Sequence, residues 1–221
     1  MQDNLNKIFE YAKYTFEQVE KVKQYAPRIK RFTEQNQNLS NIIFLGPPGS
    51  GKGTMTNLLK DEVGYNLVCT GDILRAEKKS GSELGKKIAQ LIDGGNLVPD
   101  EIVDGMIENE LSKLNGPVLL DGYPRTIAQA ENLDRLLDNL TVIWLDVPEE
   151  VTIQRNLERG KTSKRPDDAN VDVIKQRLDN YNKETAPVKE WYEKTNRVVE
   201  VDGVGSIPEV LKKIKETLGM V

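Results

Sequence analysis

The stretch "GPPGSGKGT", Gly46 to Thr54, decides the fold. It follows an apolar run of strand length, "NIIFLG" (41–46), and leads into "TMTNLLKDEVG" (54–64), which reads as a helix. Strand, glycine-rich turn and helix in that order make a phosphate-binding loop, because backbone N–H groups of the turn and of the helix N-terminus converge on one anion. Gly46, Gly49, Gly51 and Gly53 let the backbone turn and approach a ligand closely, and Lys52 is placed to bridge terminal phosphates. The usual loop has Ser or Thr after the lysine, whose hydroxyl holds magnesium; Gly53 stands there instead.

Beyond the loop, short apolar runs alternate with stretches long enough for helices: "YNLVCTG", "GPVLLDG", "TVIWLDVP" and "NRVVEVDG". Runs without polar alternation suit strands covered on both faces. The expectation is therefore an α/β three-layer fold with a five-stranded parallel sheet, whose ligands sit beyond the carboxyl ends of the strands. Asp121 ends one such strand in "VLLDGYPR", the place for an acidic residue that organises magnesium through water.

The bulk composition narrows the chemistry. A chain of 221 residues with net charge −4 argues against nucleic acid as a partner, and no apolar run approaches the roughly 18 residues of a membrane span. The single cysteine, Cys69, excludes a disulfide framework and a thiolate zinc site and suits a reducing, cytoplasmic compartment; it reads as a buried filler. With no histidine, chemistry must rest on carboxylates, lysine, arginine and positioning.

Residues 1–38 differ from the rest. Ile8, Phe9, Ala12, Phe16, Val19, Val22, Ala26 and Ile29 recur at helical spacing around Pro27, predicting one or two amphipathic helices. Acidic residues among them argue against a transit peptide, and Gln2 excludes myristoylation. The segment is read as a helical extension, laid on the body of the protein or serving docking or targeting, with residues 39–221 as the main domain.

Further motifs follow in order: "TGDILR", "GNLVPDEIV", "DGYPRTIAQ", "RNLERGKTSKRPDD", "NVDVIKQRLDNYNKE" and "VDGVGSIPEV". Arg155 and Arg159 fall on one helix face, and Arg177 lies on an apolar face where a buried charge needs an anionic partner. With a loop similar to G-x-P-G-x-G-K-G-T, the chain from Asn41 onward resembles the adenylate kinases of the short-lid type, in which Gly after the lysine is the normal form. The resemblance implies reversible, magnesium-dependent phosphoryl transfer from ATP to AMP giving two ADP, by a monomer. It implies an acceptor lobe over about 69–98 and a short lid over about 158–168, where Lys164 replaces a common Gly.

By the same resemblance, ATP lies on Gly49, Ser50, Gly51, Lys52, Gly53 and Thr54, with Arg155 and Gly205 beside its adenine and Arg159 on its phosphates. AMP is met by Thr70, Arg75, the Asn96, Leu97 and Val98 segment, Gly122, Tyr123, Pro124, Arg125, Gln129, Arg165 and Arg177. Lys52, Asp121, Arg125, Arg159, Arg165 and Arg177 carry the catalysis, and Mg2+ is held by nucleotide oxygens and by water around Asp121 rather than by direct protein ligands. A carboxamide such as Gln129 offers a donor and an acceptor side by side, complementary to an adenine edge. The related uridylate-cytidylate kinases have Asn at that position and Ala at the Thr70 position, so both residues point to AMP. A pyrimidine monophosphate kinase, or a nucleotide-binding scaffold without catalysis, are the competing readings.

Overall fold

The computed structural model describes residues 40–162 and 170–220. The extension over 1–38 and the lid residue Arg165 lie outside the described residues.

Five strands, β1 (Asn41–Leu45), β2 (Asn66–Cys69), β3 (Val118–Asp121), β4 (Leu140–Asp146) and β5 (Val198–Asp202), form one sheet in the order β2-β3-β1-β4-β5. Every pairing is parallel, with Ile43 level with Leu120 on one side and Val142 on the other. The helices are α1 (Lys52–Val63), α2 (Thr70–Ser80), α3 (Glu83–Asp93), α4 (Asp100–Leu111), α5 (Ile127–Leu136), α6 (Glu149–Thr162), α7 (Val171–Asn180), α8 (Ala186–Glu193) and α9 (Ile207–Thr217). A π-helical turn, Tyr181–Thr185, joins α7 to α8.

The sheet is covered on both faces, which is why its strands lack polar alternation. From β1, Ile42 and Phe44 pack with Leu59 of α1 and Val210 and Ile214 of α9. Ile43 and Leu45 face the opposite way, into a cluster with Ile107 of α4, Leu133 of α5 and Val188 of α8. All five β1 residues are buried. Burying side chains of this size contributes roughly 1.5–3 kcal/mol each.

The first helix begins two residues earlier than its sequence pattern suggested, because Gly51, in the left-handed region at φ 100°, ends the loop directly before Lys52. Other helix starts have side-chain caps: Thr126 accepts from the N–H of Gln129, and Ser206 and Glu209 form a capping box. The connection after β1 runs to β2 on one side of the sheet and the connection after β3 crosses back over β1 to β4 on the other, so the adjacent carboxyl ends of β1 and β3 open a crevice. The phosphate loop and Asp121 both lie there.

Candidate active site

The loop keeps its shape because it is packed against β4 and α6. At Gly46 (φ 143°) a Cβ would come 2.6 Å from the Leu145 carbonyl, and at Gly49 (φ 91°) 2.5 Å from that of Thr152. No other residue type fits either position. Buried Asn156 donates to the carbonyls of Pro48 and Thr152, both at 2.9 Å, and accepts from the Arg159 guanidinium at 2.8 Å. Arg155 donates to the Ser50 carbonyl at 3.3 Å and to Gly203, after β5, at 3.1 Å. Helix α6 thus braces the loop and presents Arg159 to it.

Lys52 donates to the carbonyls of Gly46 and Pro47 at 2.7 and 3.0 Å and to Ser50 Oγ at 3.3 Å. Burial pushes its pKa from 10.5 down to about 8; Asp121 opposes that shift, while Arg125, Arg177 and Arg159 add to it. At Gly53 an added Cβ would stand 3.2 Å from Asp121 Oδ2. The missing side chain therefore lets the Asp121 carboxylate approach the loop, which accounts for the departure from the usual motif.

On the other side of the cleft Arg125 donates from Nε to the Gly122 carbonyl at 2.8 Å, and burial, then Arg177, lowers its pKa. Arg75 pairs with Asp72 at 2.6 Å on α2. The Cys69 thiol lies 3.9 Å from Asp121 Oδ2; burial, then that carboxylate, pushes its pKa up to about 11, so it carries no reactive thiolate. Buried Tyr123 donates to Asp104 at 2.6 Å. Thr70 is buried, and its Oγ1 has no hydrogen-bond partner among the described residues. Gln129 is buried with both ends of its amide engaged, by the Arg125 N–H and by Asp100.

These elements enclose a cavity of about 480 Å³. Its wall brings together Gly49, Gly51, Lys52, Gly53, Thr54, Arg75, Leu97, Asp121, Gly122, Pro124, Arg125, Arg159 and Arg177, all singled out in the sequence. Ser50, Thr70, Asn96, Val98, Tyr123, Gln129, Arg155 and Gly205 are not among the lining residues. Ser50 and Arg155 act from behind as supports, and Val98 is buried whereas Asn96 is exposed.

Sequence reasoning passed over Asn156, Asp100, Asn180 and Tyr181. Asn180 and Tyr181 stand three and four residues after Arg177 and line the same cavity, so projecting that helix face would have found them. Asn180 also donates to the Gly95 carbonyl at 2.9 Å, tying α7 to the segment after α3. Among the described residues there is no group of three His, Cys, Asp or Glu that could hold a metal directly. Asp121, the carboxylate beside the loop, would suit the orienting of waters around a magnesium ion.

Comparison with known proteins identifies the family. The family model for adenylate kinase matches residues 44–197. An adenylate kinase of Xanthomonas campestris pv. campestris is 45% identical over 186 residues, covering 80% of this chain and 98% of the relative. One from Thermus thermophilus is 41% identical over 184 residues (81% and 97%), and one from Stenotrophomonas maltophilia 43% over 180 residues (78% and 96%). The loop, the basic cleft and these likenesses lead to one conclusion: the chain belongs to the adenylate kinase family and is a nucleoside monophosphate kinase.

Proposed function

We propose that this enzyme transfers the γ-phosphoryl group of ATP to AMP, reversibly, giving two ADP. The bond from the γ-phosphorus to the β-phosphate oxygen breaks, and one to an oxygen of the AMP phosphate forms. The observation that carries this reading is the convergence of Lys52, Arg75, Arg125, Arg159 and Arg177 on one cavity beside the loop. Phosphoryl transfer spreads charge over the equatorial oxygens, so fixed cations and in-line positioning supply most of the catalysis and no histidine base is needed.

In this assignment the loop N–H groups and Lys52 hold the donor phosphates and Arg159 reaches them from α6. Arg75, Arg125 and Arg177 hold the acceptor phosphate, and Arg165 joins them from the lid. Gln129 and the 96–98 backbone meet the acceptor base with Thr70, while Arg155 and Gly205 flank the donor adenine. A nucleotide-bound Mg2+ would supply stabilisation of the phosphate charge. Asp121 would orient its waters, with the Thr54 hydroxyl as a second contributor. Packing the cations into a shared cleft costs desolvation, visible in the lowered pKa values of Lys52 and Arg125, and two phosphate chains would offset that cost.

The protein is assigned to the cytoplasm as a monomer, with residues 1–38 as a helical extension laid on the body of the protein or serving docking or targeting. Initial rates with ATP and each of AMP, CMP and UMP test the central reading. AMP is expected to be turned over fastest by far; equal or better turnover of UMP would replace the assignment with a pyrimidine kinase.

A further inference from the structure

Gln129 is held at both ends. Its Oε1 accepts from the Arg125 N–H at 2.7 Å, and its Nε2 donates to Asp100 Oδ1 at 2.8 Å. The other Asp100 oxygen accepts from the Thr126 hydroxyl at 2.6 Å. A carboxylate only accepts and a backbone N–H only donates, so these partners fix which way round the amide sits. A flip would set N–H against N–H and oxygen against oxygen, leaving buried groups unpaired. An amide oxygen has two lone pairs and an amide nitrogen two protons. One acceptor and one donor on Gln129 therefore remain for a ligand.

Asp100 is the first residue of α4, directly after the 96–99 segment, where the helix N-terminus favours a negative charge. Gln129 lies in the first turn of α5. A single carboxylate thus ties together the two segments assigned above to the acceptor base.

We infer that Asp100 is a positioning residue for acceptor-base selection. By holding the Gln129 carboxamide in one orientation, it makes the site favour a purine with an amino donor beside a ring-nitrogen acceptor over one with the two reversed. The inference rests on the assignment of Gln129 to the acceptor base, and its test separates the two.

AMP and IMP differ in this edge, since IMP has a carbonyl where AMP has an amino group and a protonated ring nitrogen beside it. The ratio of kcat/KM for AMP to that for IMP is measured in wild type, Asp100→Asn, Thr126→Val and Gln129→Ala, alongside thermal melts. Asp100→Asn is expected to lower the ratio about tenfold or more, mainly through KM for AMP, with KM for ATP unchanged, because an amide at position 100 no longer dictates the orientation. Thr126→Val, which frees one side of the carboxylate, lowers it less. Should Asp100→Asn fail to fold, Asp100→Ser decides, because Thr126→Val also removes the cap on the Gln129 N–H. A fall with Gln129→Ala but not with the Asp100 and Thr126 variants overturns the role of Asp100 and leaves the base-reading role of Gln129 standing. An unchanged ratio in Gln129→Ala removes that role and the inference with it. A lowered melting temperature with an unchanged ratio in Asp100→Asn makes Asp100 merely structural and also overturns the inference.

Discussion

At the scale of single residues, Lys52 and Asp104 show burial acting on opposite charges. Burial holds Lys52 near pKa 8 in the free enzyme, and bound phosphates would raise that value. Since kcat/KM reports the free enzyme, kcat/KM for ATP should fall about tenfold per pH unit above about 8, while kcat stays level to higher pH. Steady-state kinetics across pH 7–10 check this. The unfolded chain binds the Lys52 proton up to about pH 10.5, so this residue's contribution to stability rises with pH between those values. Asp104 is the reverse case. Burial raises its carboxyl from 3.8 to about 6, against the hydrogen bond from Tyr123 and with help from Asp100, Glu108 and Glu101. The folded chain keeps that proton longer than the unfolded one, so wild type loses stability as pH rises through this window. Asp104→Asn should therefore gain about 1 kcal/mol relative to wild type between about pH 4 and 7, after discounting for the solvent that still reaches the group. Denaturant melts at several pH values measure the difference, and a constant offset would contradict it.

At the scale of elements, α6 supports the loop through Asn156 and Arg155. Asn156→Ala removes two donors to backbone carbonyls and the partner of Arg159, a loss of about 1–3 kcal/mol of positioning. Roughly a tenfold or greater drop in kcat/KM for ATP is expected, with KM for AMP little changed; equal losses for both nucleotides would point to general collapse instead. The strands and their ends were legible in the sequence because runs such as "NIIFLG" and "GPVLLDG" are apolar on both faces, and parallel pairing follows from that. The cationic wall was legible because its arginines sit in motifs. Asn156 looked like any polar helix residue, and its role comes from the fold bringing Pro48 within reach, more than a hundred residues away in sequence. Asp100 looked like an acidic residue favoured at a helix start, and only the packing of α5 beside it supplies Gln129. The pattern of "NVDVIKQRLDNYNKE" reads as one helix, yet the chain turns π-helical from Tyr181, which side-chain periodicity does not reveal.

At the scale of the whole molecule, the start of β1 is held by partners from distant parts of the chain. Tyr65 donates to the Ser40 carbonyl, and the Asn41 side chain bonds the Asp138 carbonyl and the Val118 N–H. These contacts anchor the amino end of β1, next to the segment over residues 1–38. Deleting that segment should leave kcat and both KM values unchanged while altering location, stability or association. A large loss of turnover in a truncated protein that still shows a cooperative melt would contradict this.

The cleft wall sets five cations, Lys52, Arg75, Arg125, Arg159 and Arg177, against two carboxylates, Asp72 and Asp121, in a chain whose net charge is −4. The body of the protein therefore repels anions over long range while the crevice focuses an attractive field. Raising ionic strength screens both, and it screens the long-range repulsion before the close attraction inside the cleft. The field that draws nucleotides in also acts on the departing ADP, so dilute buffer slows release and concentrated salt weakens capture. Between those extremes lies a salt concentration at which the throughput of this cleft is greatest.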